Sequence, residues 1–153
     1  MLLGIGMVAR RHKFIRGHPK ENNHAMNKSR RNINLADRPA GLPFSDATLE
    51  DNTLYIAGRI GIDPATGFVP ADIDQELRIL FDGFSRVLAE ADMGWSDLVW
   101  VQVFSPDLAL WDRFNQEYVK HFSGDFPARA FLGSAPLLRN GRFEMMGIAV
   151  KKP

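Results

Sequence analysis

The clearest periodic pattern in the chain is helical and covers residues 72–91. Apolar residues recur there at steps of three and four, while most charged residues fall on the opposite side, as in a helix that packs on a core. Asp72, with Gln75 three residues later, has the form of a capping box, and Gly94 is placed to end the helix. The apolar positions are Ile73, Leu77, Leu80, Phe81, Phe84, Val87, Leu88 and Ala91.

A second helix is predicted after the turn at residues 105–107 and reaches about residue 122, where Gly124 ends it. Its apolar stripe is Trp111, Phe114, Tyr118 and Phe122. Five other segments show the alternation or continuous hydrophobicity of strands. They cover residues 39–49, 52–62, 97–104, 127–132 and 142–150, and the second of them places Leu54, Ile56, Ile60 and Ile62 on one face.

The order β, β, α, β, α, β, β predicts an α+β domain with a single mixed sheet and two helices on one of its faces. Two helices cover one face only. The other face still carries Val, Ile, Leu and Met, and it would expose more apolar surface than the few hundred Å² (roughly) that monomers tolerate. We therefore predict a homo-oligomer.

The last two predicted strands each carry a charge in an apolar setting. Arg129 lies in residues 127–132, and Glu144 in residues 142–150 shares a face with three apolar side chains, a costly place for a carboxylate. If the two strands form an antiparallel hairpin about residue 136, Arg129 and Glu144 lie roughly opposite each other. They would then form either an internal ion pair or a pocket in which Arg129 grips a carboxylate or phosphate while Glu144 handles a proton or a water.

The composition is that of one water-soluble domain, since 45% of the 153 residues are hydrophobic and 24% are charged. No run approaches the roughly 20 apolar residues that a membrane span needs. The chain has no Cys, which removes disulfides, thiolate nucleophiles and thiolate metal sites. The lack of Cys is compatible with a reducing cytoplasm, where we expect the protein.

Charge divides the chain into a basic N-terminal tail, residues 1–31, and a domain, residues 32–153. We expect the tail to be flexible and solvated, including its histidines His12, His18 and His24. It is Arg-rich like a transit peptide, but it lacks an amphipathic stripe, and its basic residues follow its apolar run instead of preceding it as in a secretory signal. The domain carries 11 basic and 17 acidic side chains, a net charge of −6, which argues against a nucleic-acid groove.

Several motifs, in order, resemble one known family. The run FPARAF followed by RFEMMGIAV resembles the PARS and IEIEAIAV endings of the reactive-intermediate deaminase (YjgF/RidA) family. NTLYIAGRIGIDPATG resembles that family's strand and turn after its N-terminal segment, and FNQEYVKHF resembles its second helix. The resemblance covers about residues 42–152 and implies the chorismate-mutase-like YjgF fold, with sheets that form a trimeric barrel and clefts between subunits. A chain that began at Met26 would have the family's usual length, so the first 25 residues are either a mis-set start or an accessory tail.

The resemblance also implies a hydrolase activity. Family members convert reactive enamines and imines released by pyridoxal-phosphate enzymes to 2-keto acids and ammonia, without a metal or an organic cofactor. Arg129 matches the arginine that binds the substrate carboxylate, and Glu144 matches the glutamate that positions or activates water. Gly58 and the backbone of Phe131 would line the pocket, and Asn115 matches an asparagine near its mouth.

The chain departs from the family at four positions near this pocket. Phe44, Ala57 and Phe131 stand where family members commonly have Tyr, Ser and Cys, and Arg59 replaces the usual Gln. Losing a buried hydrogen-bond partner shifts specificity by about 1 to 3 kcal/mol. Because Arg129 and the glutamate are kept, we predict altered preference toward a bulkier or aromatic substrate, with Phe44, Phe131 and Arg59 among its contacts.

Two other functions stay open from the sequence. The first is a non-catalytic regulatory member of the same fold that binds a small ligand and has lost turnover. The second is the RNA-cleaving, translation-inhibiting role sometimes attached to the family. For that role only residues 1–31 carry the positive charge that would attract RNA.

Overall fold

The structure, a computed structural model, describes residues 30–152. Within this range the strands are β1 (Arg30–Ile33), β2 (Ala47–Glu50), β3 (Thr53–Ile60), β4 (Leu98–Ser105), β5 (Ala128–Gly133) and β6 (Glu144–Val150), and the helices are α1 (Ile73–Ala89) and α2 (Trp111–Tyr118). Single 3₁₀ turns lie at Trp95–Asp97, Leu108–Leu110, Val119–His121 and Leu138–Asn140. In this part of the chain, neither helix has the length and apolar content that crossing a bilayer requires.

The strands form one mixed sheet in the order β1-β2-β3-β6-β4-β5. Neighbouring strands are antiparallel except β4 and β5, which are parallel and are connected through α2. α1 connects β3 to β4, and β6 lies between these two strands. The predicted α+β fold, a single mixed sheet with two connecting helices, is confirmed.

The predicted hairpin of the last two strands is wrong, because β4 lies between β5 and β6. On one side of β4, Val101 pairs with Arg129, and on the other side Phe104 pairs with Glu144. β4 is hydrogen-bonded on both edges, to β5 and to β6, and it is mainly apolar on both faces, as is typical of strands that are covered on both faces. Insertion of this strand, rather than a tight turn, sets the distance between the two charged residues.

The first two strands of the sheet, β1 and β2, also differ from the prediction. The strand predicted at residues 39–49 is limited to β2, because Pro39 and Pro43 lack the N–H donors that a strand needs. β1 was not predicted, since RRNI has no apolar alternation, and it pairs with β2 partly through the Arg30–Glu50 ion pair of 2.5 Å. The boundary predicted after residue 31 falls inside β1, and the predictions for residues 1–29 lie outside the described residues.

The ends of α1 are closed by two aspartates. The Asp72 carboxylate accepts a hydrogen bond of 3.0 Å from the Asp74 N–H, so Asp72 is the N-cap, as expected, but without the predicted Gln75 contact. At the other end Asp92, with φ of 53°, takes the left-handed conformation, and the N–H of Met93 donates to the Leu88 carbonyl at 3.0 Å. This is a Schellman closure with Asp in place of Gly, so the chain turns before it reaches Gly94.

The core lies between the helices and one face of the sheet, the helix-covered face. Its fully buried sheet residues include Leu54, Val101, Val103, Met145 and Ala149, and α1 contributes Leu77, Leu80, Phe81, Phe84 and Val87. Gly147 admits the Phe84 ring, since a Cβ there would lie 3.1 Å from Phe84 Cζ. α1 therefore packs closely on the middle of the sheet.

The other face of the sheet, the open face, has neither helix packed on it. It is defined by the paired positions Tyr55, Trp100, Gln102, Phe104, Glu144, Met146 and Ile148. Tyr55 is 52% exposed and Trp100 is 37% exposed. Apart from Gln102 and Glu144, this face is an apolar surface of the kind that assembly commonly buries.

Candidate functional site

Glu144 begins β6 and lies on the open face, paired with Ile60 of β3 and Phe104 of β4. Its carboxylate rests against Gly58, where a Cβ would overlap Glu144 Oε1. Gly58 lies in the register shift between Ile56 and Arg59, so a β-bulge creates the space that the carboxylate fills. None of the ion pairs among residues 30–152 includes Glu144. Within the described residues the carboxylate therefore packs against the backbone at Gly58 and has no cationic partner.

Phe44 precedes β2 and is brought to the same end of the sheet as Gly58. The N–H of Ala57 donates to the Asp46 carbonyl at 3.0 Å, so the chain from Asp46 back to Phe44 runs alongside Gly58. Arg38 donates to the Phe44 carbonyl, and its guanidinium carbon lies 5.4 Å from the centre of the Phe44 ring. The ring itself is 51% exposed and available for contact.

Arg59 lies on the helix-covered face, away from Glu144. It pairs with Met145, its Nη2 lies 3.2 Å from Asp46 Oδ1, and its Nη1 lies 2.9 Å from where a Cβ on Gly83 of α1 would be. Burial lowers the pKa of the Arg59 guanidinium, and the Asp46 carboxylate acts in the opposite direction. Within one chain Arg59 fastens the segment before β2 to α1, while its contact with a substrate stays a prediction.

Because of the bulge, Arg59 and Ile60 lie on the faces opposite to those that an unbroken alternation along β3 would give. Leu54 pairs with buried Ala149 on the helix-covered face, whereas Ile60 pairs with Glu144 on the open face. The prediction that Leu54, Ile56, Ile60 and Ile62 share one face is wrong beyond Ile56, because one extra residue inverts the alternation.

Arg129 lies on β5 and faces α2. Its Nη2 donates to Asn115 Oδ1 at 2.6 Å, and its guanidinium carbon lies 4.4 Å from the centre of the Tyr118 ring and 5.7 Å from that of Phe114. Burial lowers the pKa of Arg129, with Tyr118 acting in the opposite direction. Nη1 is buried and has no hydrogen-bond partner among residues 30–152. Arg129 therefore has an orienting partner, Asn115, and a donor that lacks an acceptor.

The Tyr118 ring packs against the Arg129 guanidinium. Burial raises the pKa of Tyr118 to about 12, against the opposing effect of Arg129, so the phenol is protonated at neutral pH. Its hydroxyl is also buried without a hydrogen-bond partner in the described range. The guanidinium lies over the Tyr118 ring, which gives a favourable cation–π contact.

A cavity of about 750 Å³ opens beside Arg129. Its lining residues are Trp111, Asp112, Asn115, Gln116, Tyr118, Val119, Phe126, Pro127 and Arg129. The sequence predicted Arg129 and Asn115 here but missed Trp111, Tyr118 and Phe126 as site residues. The available signal was helical spacing, since Trp111, Asn115 and Tyr118 recur at steps of four and three on α2.

Phe131 packs away from this cavity. Its ring lies edge-on to Phe114, with the ring centres 5.5 Å apart, and it joins the margin of the core. The side chain is therefore used in packing, and the predicted contribution of the Phe131 backbone to a pocket stays a prediction.

Arg129 and Glu144 do not meet within one chain. Two strand spacings and three residues separate their backbones, about 14 Å, and their side chains point to opposite faces of the sheet. Neither the predicted internal ion pair nor the predicted pocket forms within one chain, because both required a hairpin of the last two strands, and that hairpin is absent. Separately, no three His, Asp or Glu side chains in residues 30–152 are grouped as a metal site.

The architecture identifies the class of protein. It combines a mixed sheet, in which β6 is inserted between β3 and β4, with two connecting helices. An arginine lies on the edge strand β5, and a glutamate begins the central strand β6. The fold is that of the YjgF-like proteins. A model of the endoribonuclease L-PSP family matches residues 35–151. Because the match covers most of the chain, the protein belongs to this family, which confirms the resemblance to reactive-intermediate deaminases.

Characterised relatives are similar over nearly their whole length. The goat (Capra hircus) protein named 2-iminobutanoate/2-iminopropanoate deaminase is 36% identical over 126 residues, which cover 81% of this chain and 92% of the relative. The crystal structure of yeast Mmf1 superposes with a TM-score of 0.74 at 31% identity, covering 81% of this chain and all of that one. The YjgF gene product of E. coli gives a TM-score of 0.72 at 27% identity, covering 80% of this chain and 99% of that one.

Proposed function

We propose that the protein is an imine deaminase that hydrolyses reactive 2-imino acids and their enamine tautomers to 2-keto acids and ammonia. The deaminase name of the goat relative supports the reaction class. The observation that carries the assignment of residues is the Arg129 guanidinium, which is oriented by Asn115 and keeps an unsatisfied Nη1 beside a cavity. A buried donor without an acceptor is unfavourable, so a guanidinium that turns onto a substrate carboxylate gains a charge-assisted hydrogen bond.

The chemistry needs little beyond placement. An imine carbon is already electrophilic, so the protein has to hold the carboxylate and deliver a water to the adjoining carbon. In the proposed first step the Glu144 carboxylate accepts a proton from the water as the water oxygen bonds to the carbon and the C=N π bond opens, and it passes this proton to the nitrogen to give a carbinolamine. In the second step the hydroxyl proton moves to the nitrogen through the same carboxylate, the C–N bond breaks, and ammonia leaves as the keto C=O forms. Gly58 serves this step by leaving room for the carboxylate on the open face.

Arg129 and Glu144 can serve one substrate only if they come from different protomers. We therefore propose a homo-oligomer, and a homotrimer in particular, with sites between subunits. The open face of one protomer would supply Glu144, Gly58 and Phe44, and the β5–α2 side of its neighbour would supply Arg129 and Asn115. Such assembly would also bury the exposed Tyr55 and Trp100 of the open face.

The deciding assay is ammonia release from freshly generated 2-imino acids. Arg129→Ala and Glu144→Gln should each lower kcat/KM at least about 100-fold, since each removes a group that acts in the transition state. Arg78→Ala is the matched control, because Arg78 has an exposed side chain on α1 that pairs with Asp72. Release no faster than in buffer, for every imine tried, would rule out the deaminase.

Two alternatives have distinct outcomes in parallel measurements. A regulatory member that only binds ligand would show a melting temperature raised by 2-keto acids with no imine turnover. The matching family model is described as an endoribonuclease, so RNA binding and cleavage are measured with and without residues 1–29. If RNA binding disappears when the tail is removed, the RNA-binding site lies in the tail and not in the domain, whose net charge is −6.

The boundary predicted between residues 31 and 32 would divide β1, so we propose that the deaminase domain begins with β1 (Arg30–Ile33) and that the preceding residues are an accessory basic segment. The cytoplasmic location stays a prediction, since the yeast relative MMF1, 34% identical over 114 residues, is named a mitochondrial protein. Imaging of a C-terminally tagged full chain would decide the location.

A further inference from the structure

The cavity beside Arg129 has aromatic walls that the proposed chemistry does not require. Trp111 is 48% exposed and Phe126 is 58% exposed, although both are large apolar side chains. Phe126 is braced by Phe122, with ring centres 5.4 Å apart, and Tyr118 packs on the other side of Phe122 at 4.8 Å. These contacts hold a rigid aromatic surface next to the guanidinium.

The size of the cavity exceeds the need of a small substrate. Pockets of about 300 to 1,000 Å³ enclose ligands of drug size, and this one measures about 750 Å³. Bound to the lining that one protomer supplies, a methyl or ethyl group would cover less of Trp111 and Phe126 than a larger group. A phenyl or indole group would cover them and gain the free energy of apolar burial together with ring packing.

The polar residues of the cavity limit which large side chains fit. Arg129 supplies the cation for the carboxylate, and Asp112 supplies the opposite charge elsewhere in the lining. A second carboxylate on the substrate side chain would meet Asp112 and be repelled. The cavity therefore favours large apolar side chains over acidic ones.

On the basis of the proposed function, we infer that this cavity selects 2-imino acids with an aromatic side chain, the carboxylate on Arg129 and the ring against Trp111 and Phe126. The preference for a bulkier or aromatic substrate was predicted from the sequence through Phe44, Phe131 and Arg59, whereas here it rests on Trp111 and Phe126. The Phe131 ring packs on Phe114, so it adds no wall to the cavity.

The test compares kcat/KM for imines made in situ by an amino-acid oxidase from phenylalanine, leucine and 2-aminobutanoate. The wild-type chain should prefer the phenylalanine-derived imine over 2-iminobutanoate by roughly 10- to 100-fold. Trp111→Ala and Phe126→Ala should each lower kcat/KM for the aromatic imine about 10-fold and should change kcat/KM for 2-iminobutanoate little. Phe68→Ala is the matched control, because Phe68 is 65% exposed and lies outside the cavity.

The failures of the two proposals are distinguishable. Turnover of 2-iminobutanoate equal to or faster than that of the aromatic imine would overturn the inference and leave the deaminase standing. Absence of all turnover would refute the deaminase, and the selectivity would then be decided by the melting temperature with phenylpyruvate and with pyruvate. A larger rise with phenylpyruvate that Phe126→Ala abolishes supports the aromatic site, and equal rises refute it.

Discussion

Arg129 and Glu144 lie on opposite faces of one sheet, with only β4 between their strands. If both act on the same substrate, each must meet its counterpart from another protomer. Equal amounts of Arg129→Ala and Glu144→Gln, coexpressed or refolded together, should therefore regain activity that neither variant has alone. In a trimer with random mixing, about one quarter of the sites would combine an intact arginine with an intact glutamate. Ammonia release measures the recovery, and a mixture as inactive as its components would refute sites between subunits.

Gly58→Ala should lower activity more than stability. The new Cβ would overlap Glu144 Oε1, which is the far end of a flexible side chain and can rotate away at small cost. The carboxylate would then leave its position, and kcat should fall by about 10- to 100-fold. Steady-state kinetics and a thermal melt measure the two effects, with Gly124→Ala as the control, because nothing lies within 4 Å of a Cβ there. A large loss of melting temperature with normal kcat would contradict this role of Gly58.

Arg142→Met should destabilise the fold by about 3 kcal/mol, since it removes one partner of a buried ion pair. Glu76 is fully buried and accepts hydrogen bonds from the Arg142 N–H at 2.7 Å and from Arg142 Nε at 2.5 Å. Urea denaturation measures the free energy of unfolding. Arg78→Met is the control, since the Arg78–Asp72 pair is 3.9 Å long and exposed, and it should change stability by less than about 0.5 kcal/mol. A similar small effect for Arg142→Met would show that the backbone donors suffice for Glu76.

His121 should make stability depend on pH. Its ring is stacked between Phe81 at 4.8 Å and Trp95 at 4.4 Å, and its Nε2 is buried without a partner in the described residues. Burial lowers the pKa of His121 below 6.5, with Glu117 acting against the shift and Lys120 with it. The unfolded chain then binds the proton more readily, so this contribution to stability is fully present above pH 6.5 and is lost as the pH falls through that value toward the folded-state pKa.

His121→Phe tests this pH dependence, because phenylalanine keeps the stack and does not titrate. The free energy of unfolding, measured between about pH 7 and pH 5, should fall less steeply for the variant than for the wild type. The other titratable groups are the same in both proteins, so the difference between the two profiles isolates His121. Parallel pH profiles would show that His121 is as easily protonated in the folded state as in the unfolded state.

The fold was predictable in segments where apolar residues recur with a single helical or strand period. Eight apolar positions fixed α1 to within about two residues at each end. Strand pairing was harder, because a hairpin and a strand inserted elsewhere satisfy the same alternation. The mainly apolar faces of β4 indicated coverage above and below the sheet, but they carried no information on which strands pair with its edges. β1 carried no apolar pattern, so nothing local predicted it.

The site was predictable in chemistry and not in arrangement. Motif resemblance identified Arg129, Asn115, Gly58 and Glu144, and the structure adds the contacts within each pair, Arg129 with Asn115 and Gly58 with Glu144. The orientation of Arg59 depended on a bulge, which has no reliable sequence signal. Trp111 and Phe126 were missed because an aromatic residue in a helix stripe or before a strand is usually a core residue.

β6 joins the strands on its two sides, β3 and β4, and it follows both of them in the chain. Until β6 docks, β3 and β4 therefore each have an unpaired inner edge. A state of the chain in which β6 has not docked exposes both edges to aggregation or to pairing with another chain.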